Sequence, residues 1–307
     1  MHKNILAVGV VVMVLIVALL VIKRPNMSQP KLANSNVQIA ASFYPLYFFA
    51  SEIAGEQATV VNLTPFGAEP HDYEPSTDDL RFISESDLLI LNGVHFEPWA
   101  DKVTEILKDR NTRVLEVAED LATKEMVHDG EAEIDPHTWL DPVLAQEEVK
   151  IITTALIEID PEHTADYEAR SKDLIARLEA LNQEFAQRLQ TCAKRNVVTS
   201  HAAFGYLTDR YQLTQMAISG LSPDDEPSPK DLADAAEFAR SNNVDYIFFE
   251  TLISPKLAET VAREIGAQTQ VLDPLEGLTQ EEQNRGSDYF SVQRENLENL
   301  TVALTCQ

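Results

Sequence analysis

The chain has 307 residues, with 24 Lys plus Arg against 50 Asp plus Glu, a formal charge of -26, 44% hydrophobic residues and two cysteines. That length exceeds one ordinary core and predicts two domains, while the charged and apolar fractions exclude a disordered polyampholyte. The acidic excess excludes nucleic acid and anionic membrane surfaces as partners, because phosphates are neutralised by a Lys/Arg surplus, and it favours a cationic partner.

The charge is unevenly placed. Residues 1–35 carry Lys3, Lys23, Arg24 and Lys31 and no acid, leaving 20 basic against 50 acidic residues, or -30, on residues 36–307. Within that basic segment, Ile5 to Ile22 has no charged or strongly polar side chain. As a helix it spans roughly 27 Å, enough to cross a bilayer. It ends in Lys23-Arg24-Pro25 without a small-residue cleavage site, and the first cysteine is Cys192, so neither a cleaved signal nor a lipidated amino-terminal cysteine is expected. Residues 1–24 therefore read as an uncleaved single-pass anchor in the cell membrane, and 25–36, polar with two prolines, as a tether to an extracytoplasmic body.

From Val37 onward short apolar runs alternate with helical patterns. Strands are predicted at 37–42, 58–63, 87–93 and 112–117, with helices over Leu46–Ala54, Thr77–Glu85 and Pro98–Lys108 between them. The same alternation returns with strands at 196–200, 213–219, 244–250 and 269–273 and helices over Phe204–Arg210, Ser228–Asn242 and Pro255–Ile265. Alternation of this kind implies parallel sheets covered by helices. Between the halves, Asp160 to Ala193 lacks glycine, has proline only at Pro161, and repeats Leu174, Leu178, Leu181, Phe185 and Leu189 at helical spacing. One helix of roughly thirty residues, about 45 Å, is expected to join the lobes stiffly. The predicted organisation is an α/β lobe over 37–159, a linking helix over 160–193 and a second α/β lobe over 194–307.

Seven histidines are few enough to place one by one. His2 precedes the anchor, His163 opens the long helix at the surface, and His95 sits in the loop NGVHFEPW. Three share a context: His71 in TPFGAEPHDYEPS after the second strand, His137 in DPHTWLDP between the last strand of the first lobe and a helix, and His201 in VVTSHAAFGY after the first strand of the second lobe. Asp273 in VLDPLEG follows the last strand. All four lie past the carboxyl ends of strands, where open α/β sheets bind ligands, and two come from each lobe. Three imidazoles and a carboxylate suit a divalent transition metal, zinc above all. Pro70, Pro136 and Pro274 stiffen the chain beside three of these candidates. Glu250, ending VDYIFFE, is a candidate to orient a histidine from outside the shell, and Glu69 and Asp72 flank His71 in the same capacity. Trp99 and Trp139 read as packing residues.

The strings GAEPHDYEPS, NGVHFEPW, DPHTWLDP, SHAAFGYL, FFETLISPKLAETVAREIGA and VLDPLEGL, in this order and spacing over residues 37–304, resemble the metal-binding solute receptors of bacterial ABC importers for zinc and manganese. The resemblance implies two α/β lobes joined by one long backbone helix, metal held between them by His71, His137, His201 and Asp273, and delivery to an ABC importer permease. It implies a monomeric receptor and no enzyme. Zinc members of the family carry histidine at the third ligand position where manganese members carry glutamate, so His201 implies Zn²⁺ over Mn²⁺. Manganese or iron capture, or a cell-surface adhesin of the same fold, are the alternatives. A zinc hydrolase ranks below these, since no HExxH motif occurs and four protein ligands close the shell. The segment before the second ligand, residues 126–135, holds the single histidine His128 among acidic residues and reads either as an ion-collecting loop or as a solvated acidic turn. Cys192 and Cys306 are either two buried thiols or a disulfide pinning a terminal helix (Tyr289–Leu304) to the second lobe.

Overall fold

The computed structural model describes residues 37–128 and 131–307. The proposed anchor and tether, residues 1–36, lie outside the described residues. Among those described, no helix is long and apolar enough to cross a membrane.

In the first lobe the order is β1 (Val37–Ala41), α1 (Tyr44–Ala54), β2 (Ala58–Asn62), α2 (Thr77–Glu85), β3 (Leu88–Leu91), α3 (Ala100–Leu107) and β4 (Arg113–Glu116). The strands are parallel in the order β2-β1-β3-β4. β3 reads LLIL without a polar residue because helices cover both faces of the sheet and all four side chains are buried. α2 begins in a capping box, in which the Ser76 side chain accepts from the Asp79 N–H and the Asp79 carboxylate accepts from the Ser76 N–H. The segment anticipated as an acidic loop is instead an antiparallel hairpin of β5 (Glu125–His128) and β6 (Glu131–Ile134). A single 3-10 turn, Thr138–Leu140, then leads into α4 (Pro142–Ile159), which starts where Asp141 accepts the Val143 N–H and Pro142 fixes the first turn.

The linking element begins as a 3-10 turn at Pro161–His163 and continues as α5 (Thr164–Leu189), 26 residues long, about 39 Å at the helical rise. Its regular helix is shorter than the sequence suggests because Asp160, ahead of Pro161, is held out of helical geometry (φ -142°, ψ 70°). Leu174, Leu178, Leu181, Phe185 and Leu189 form its buried stripe.

The second lobe repeats the first: β7 (Asn196–Thr199), α6 (Gly205–Arg210), β8 (Thr214–Ala217), α7 (Pro229–Ser241), β9 (Tyr246–Phe249), α8 (Lys256–Ile265) and β10 (Gln268–Val271), with parallel strand order β10-β9-β7-β8. Numbered within each lobe, both sheets run 2-1-3-4. A short α9 (Gln280–Asn284) and the terminal α10 (Tyr289–Ala303) follow.

Residues 37–307 make one compact unit. Its largest core cluster is continuous through both lobes and the long helix, running through Phe49, Trp139, Leu178, Phe204 and Tyr289, while the outer layer of each lobe keeps a smaller cluster of its own. A Cys192–Cys306 disulfide ties the end of the chain to the residues just after α5. The carboxyl terminus is thus fastened to the linking helix as well as to the second lobe. Closing a loop of 114 residues, the bond stabilises the fold by about 2–4 kcal/mol.

Candidate metal centre

Four side chains meet where the two lobes face each other. His71 comes from the loop after β2, His137 from the segment after β6, His201 from the loop directly after β7, and Glu276 from the turn after β10. Their donor atoms all lie within 4.8 Å of one another, the only such cluster among the described residues. Glu276 Oε1 lies 3.5 Å from His71 Nε2, 3.3 Å from His137 Nε2 and 3.4 Å from His201 Nε2. Neither those three nitrogens nor either carboxylate oxygen of Glu276 has a hydrogen-bond partner, although all are buried. Five converging orphaned atoms would be costly unless something supplied their missing partner.

The distances from Glu276 are those of a small ion's shell, although the four donors as a set lie only within 4.8 Å of one another. Four ligands at 2.0–2.1 Å from a tetrahedral zinc ion are spaced about 3.3–3.4 Å apart, which matches the three Glu276–histidine distances. Three imidazoles and one carboxylate are also the donor set that suits zinc.

Each imidazole is prepared by its surroundings. His137 Nδ1 lies 2.8 Å from Asp135 Oδ1, and His201 Nδ1 lies 2.6 Å from Glu250 Oε1. Both carboxylates turn the Nε2 atoms inward. Glu250 is therefore the orienting partner that its place at the end of a strand suggested. His71 is braced differently: its backbone N–H donates to Glu69 Oε1 at 3.3 Å and its ring packs edge-on against Phe96 at 4.5 Å between centroids. Phe96 is aimed by a strained loop in which Gly93, Val94 and His95 all have positive φ. The buried Glu97 carboxylate holds that loop by accepting the Asn92 and Gly93 N–H groups at 2.7 and 3.2 Å.

Charge is strongly redistributed. Burial disfavours a charged His201, but the carboxylates of Glu250 and Glu276 outweigh it and raise its pKa well above the ordinary histidine value. Burial likewise opposes ionised Glu276, yet the three histidines hold it well below the usual carboxylate range. His137 is raised by Asp135 and Glu276 against the effect of burial, whereas for His71 burial prevails and the pKa is lowered. Burial, with the nearby Glu276 charge, pushes Glu69 up to about 9.

Three of the four residues singled out from the sequence are brought together, and the fourth is not. Asp273 lies outside the cluster because its carboxylate is already engaged, accepting from Thr251 Oγ1 at 2.6 Å and from the Leu275 N–H at 2.7 Å. Its backbone is clamped by Asn296, whose amide accepts from the Asp273 N–H and donates to its C=O. Burial pushes the Asp273 carboxyl up to about 7. Asp273 is thus the brace of the turn. Leu275, at φ +59°, reverses the chain so that Glu276 enters the site in its place. Two acidic residues three apart after the last strand were visible in VLDPLEG, but the left-handed residue that decides between them was not.

His95 and His163 stay apart. His163 pairs with Asp160 at the start of the long helix, at 2.6 Å. His95 is exposed and lines a cavity of about 850 Å³ that also reaches His71 and is bordered by Asp101, Glu116, Glu119, Glu133 and Asp225. Asp72 is exposed, on the side of His71 facing Asp224 of the second lobe, and Trp99 is buried in the outer cluster of the first lobe.

Comparison with known proteins identifies the family of this fold. The profile of the periplasmic zinc-uptake complex component A, ZnuA, matches residues 39–303. The high-affinity zinc uptake system protein ZnuA of Bacillus subtilis is 38% identical over 87% of this chain and 88% of its own length. The zinc-binding lipoprotein AdcA of Streptococcus pneumoniae is 37% identical over 89% of this chain, which spans only 57% of AdcA. The Zn(II)-bound ZnuA-like domain of AdcA superposes with a TM-score of 0.76 at 36% identity, covering 88% of this chain and 99% of that one. The laminin-binding protein Lmb of Streptococcus agalactiae, described as bifunctional with adhesin and metal-transporting activity, superposes with a TM-score of 0.80 at 34% identity over 88% of this chain and all of that one. With two lobes of the same fold, a shared core and a match over nearly the whole described body, this chain belongs to the family of the periplasmic zinc-uptake component ZnuA.

Proposed function

We propose that this protein is the extracytoplasmic zinc receptor of an ABC uptake system. It would capture Zn²⁺ as cargo on His71, His137, His201 and Glu276 and deliver it to a permease. The observation that carries this reading is the convergence of four buried, unpartnered donor atoms within 4.8 Å of one another, with Glu276 Oε1 3.3–3.5 Å from each histidine Nε2. Four protein ligands leave no open coordination position for a hydrolytic water, which separates a receptor from a zinc hydrolase.

We further take residues 37–159, 160–193 and 194–307 as first lobe, linking helix and second lobe, and Ile5–Ile22 as a single-pass anchor that keeps the receptor at the cell membrane. The acidic body and the carboxylates around the cavity beside His71 give a field that draws divalent cations toward the site without choosing among them. The choice lies with the three imidazoles, because Mn²⁺ prefers a shell richer in oxygen. An adhesin role is suggested by the description of Lmb, and nothing in the metal centre calls for it.

Titrating purified residues 36–307 with zinc and with manganese tests the proposal. Tight one-to-one zinc binding, weaker manganese binding and a large loss in His137→Ala are expected. A preference for manganese, or unchanged zinc affinity in that variant, contradicts it.

A further inference from the structure

A ligand is fixed by the orientation of its donor atom and by the position of the backbone that carries it. The rings of His137 and His201 are oriented by carboxylates at Nδ1. Glu276 has no equivalent: its Oε1 faces the three histidine Nε2 atoms at 3.3–3.5 Å, and neither of its oxygens has a hydrogen-bond partner outside the cluster to orient it. Its placement therefore depends on the turn from Asp273 to Glu276, held at one end by Asn296 and bent by left-handed Leu275.

One more contact reaches that turn, and it comes from the other lobe. The Trp139 indole Nε1–H donates to the Pro274 carbonyl at 2.8 Å. Trp139 stands two residues after His137, and Pro274 two residues before Glu276. The indole is fully buried, packed against the rings of Phe43, Phe96 and His137 at centroid distances of 4.7, 5.2 and 5.1 Å. Its backbone carbonyl accepts from the Tyr289 hydroxyl of α10 at 2.6 Å. A ring so confined cannot follow the turn if the turn moves.

We propose that Trp139 is a positioning residue for the metal centre: its indole N–H sets the spacing of His137 and Glu276 across the lobe junction and so keeps the shell at the size of a four-coordinate ion. The inference rests on the reading that this cluster binds zinc. A shell locked at this size resists the expansion that a six-coordinate, oxygen-preferring ion such as Mn²⁺ requires. Trp139 thereby contributes to selectivity without touching the ion.

Trp139→Phe keeps an aromatic ring and removes the donor. Zinc affinity is expected to fall about tenfold, the scale of an outer partner's contribution, with manganese affinity changed less, so that the zinc-to-manganese ratio narrows. Cobalt(II) bound to the variant is expected to lose the intense visible absorption of four-coordinate geometry. Asp209→Asn, which removes a cross-lobe ion pair with Lys124 away from the ligands, is expected to leave ratio and spectrum unchanged. A folded Trp139→Phe protein with the wild-type ratio and cobalt spectrum overturns the proposal.

Should that variant fail to fold, the wild type decides. Its two indole N–H resonances, from Trp99 and Trp139, are followed by hydrogen exchange. Zinc loading is expected to slow exchange at Trp139 at least tenfold and to leave Trp99 unaffected, and equal exchange at Trp139 with and without zinc contradicts the coupling. A wild-type protein that takes up no zinc instead overturns the functional reading itself.

Discussion

The two lobes share one plan and use it differently. Both run β-α-β-α-β-α-β with strand order 2-1-3-4, and both place the string Glu-Pro-Ser-x-x-Asp-Leu, residues 74–80 and 226–232, at the capped start of the helix after the second strand. Yet the four clustered residues do not all occupy equivalent positions. The first lobe supplies His71 after its second strand and His137 beyond its fourth, past an inserted hairpin, whereas the second supplies His201 after its first strand and Glu276 after its fourth. His201 is wholly buried between Glu250 and Glu276, and His137 of the first lobe likewise between Asp135 and Glu276, while His71 keeps 11% of its side-chain surface exposed and borders the cavity. A repeated scaffold thus fixes where a site can form, and the loops decide that His71 lies at its open edge while His137 and His201 lie at its closed side.

That asymmetry can be broken by experiment. The largest effect is expected from His201→Ala. If four ligands share roughly 10–16 kcal/mol of zinc binding, one of them is worth about 100- to 1,000-fold in affinity. His71→Ala should cost less, because water reaches that position through the cavity. Competition with a chelating dye measures both, and a His71→Ala loss equal to or larger than that of His201→Ala removes the distinction between the open and closed sides of the site.

Next in size is Glu250→Gln, which keeps shape but removes the charge facing His201. About a 10- to 100-fold loss of zinc affinity is expected. Unaltered affinity would mean that Glu250 is only a structural neighbour.

The pH dependence follows from the raised His201 pKa. Because that pKa is raised, a proton on His201 competes with zinc in the metal-free protein, so affinity should rise with pH, by about tenfold per unit where His201 titrates, until the raised pKa is passed. The sign for stability is opposite. A histidine whose folded pKa lies above its unfolded value of about 6.5 stabilises the fold fully below that value, and the contribution is lost as pH rises through the folded pKa. From neutral to alkaline pH, the melting temperature of the metal-free protein should therefore fall while zinc adds a growing stabilisation. Parallel melting curves with and without zinc across that range would refute this.

Much of the scaffold was legible because its buried strands are runs such as LLIL, whose only stable setting is a sheet covered on both faces. The hairpin was missed although Asp-Gly between short segments, the second reading Glu-Ala-Glu-Ile, is a hairpin signal, because its polarity resembled a solvated loop. In the site, the three histidines were recognisable by their places after strands. Glu276 was not, because the choice between it and Asp273 rests on the left-handed Leu275 and on Asn296, 23 residues beyond Asp273, neither of which leaves a local mark. Trp139 read as packing for the same reason: its partner, the Pro274 carbonyl, is 135 residues away.

The central claim is most directly tested by anomalous diffraction at the zinc edge from crystals of the zinc-loaded protein. A single strong peak is expected between the lobes, with the Nε2 atoms of His71, His137 and His201 and a Glu276 carboxylate oxygen at about 2.0–2.2 Å. A peak coordinated by Asp273, or one with water in place of Glu276, would contradict the account.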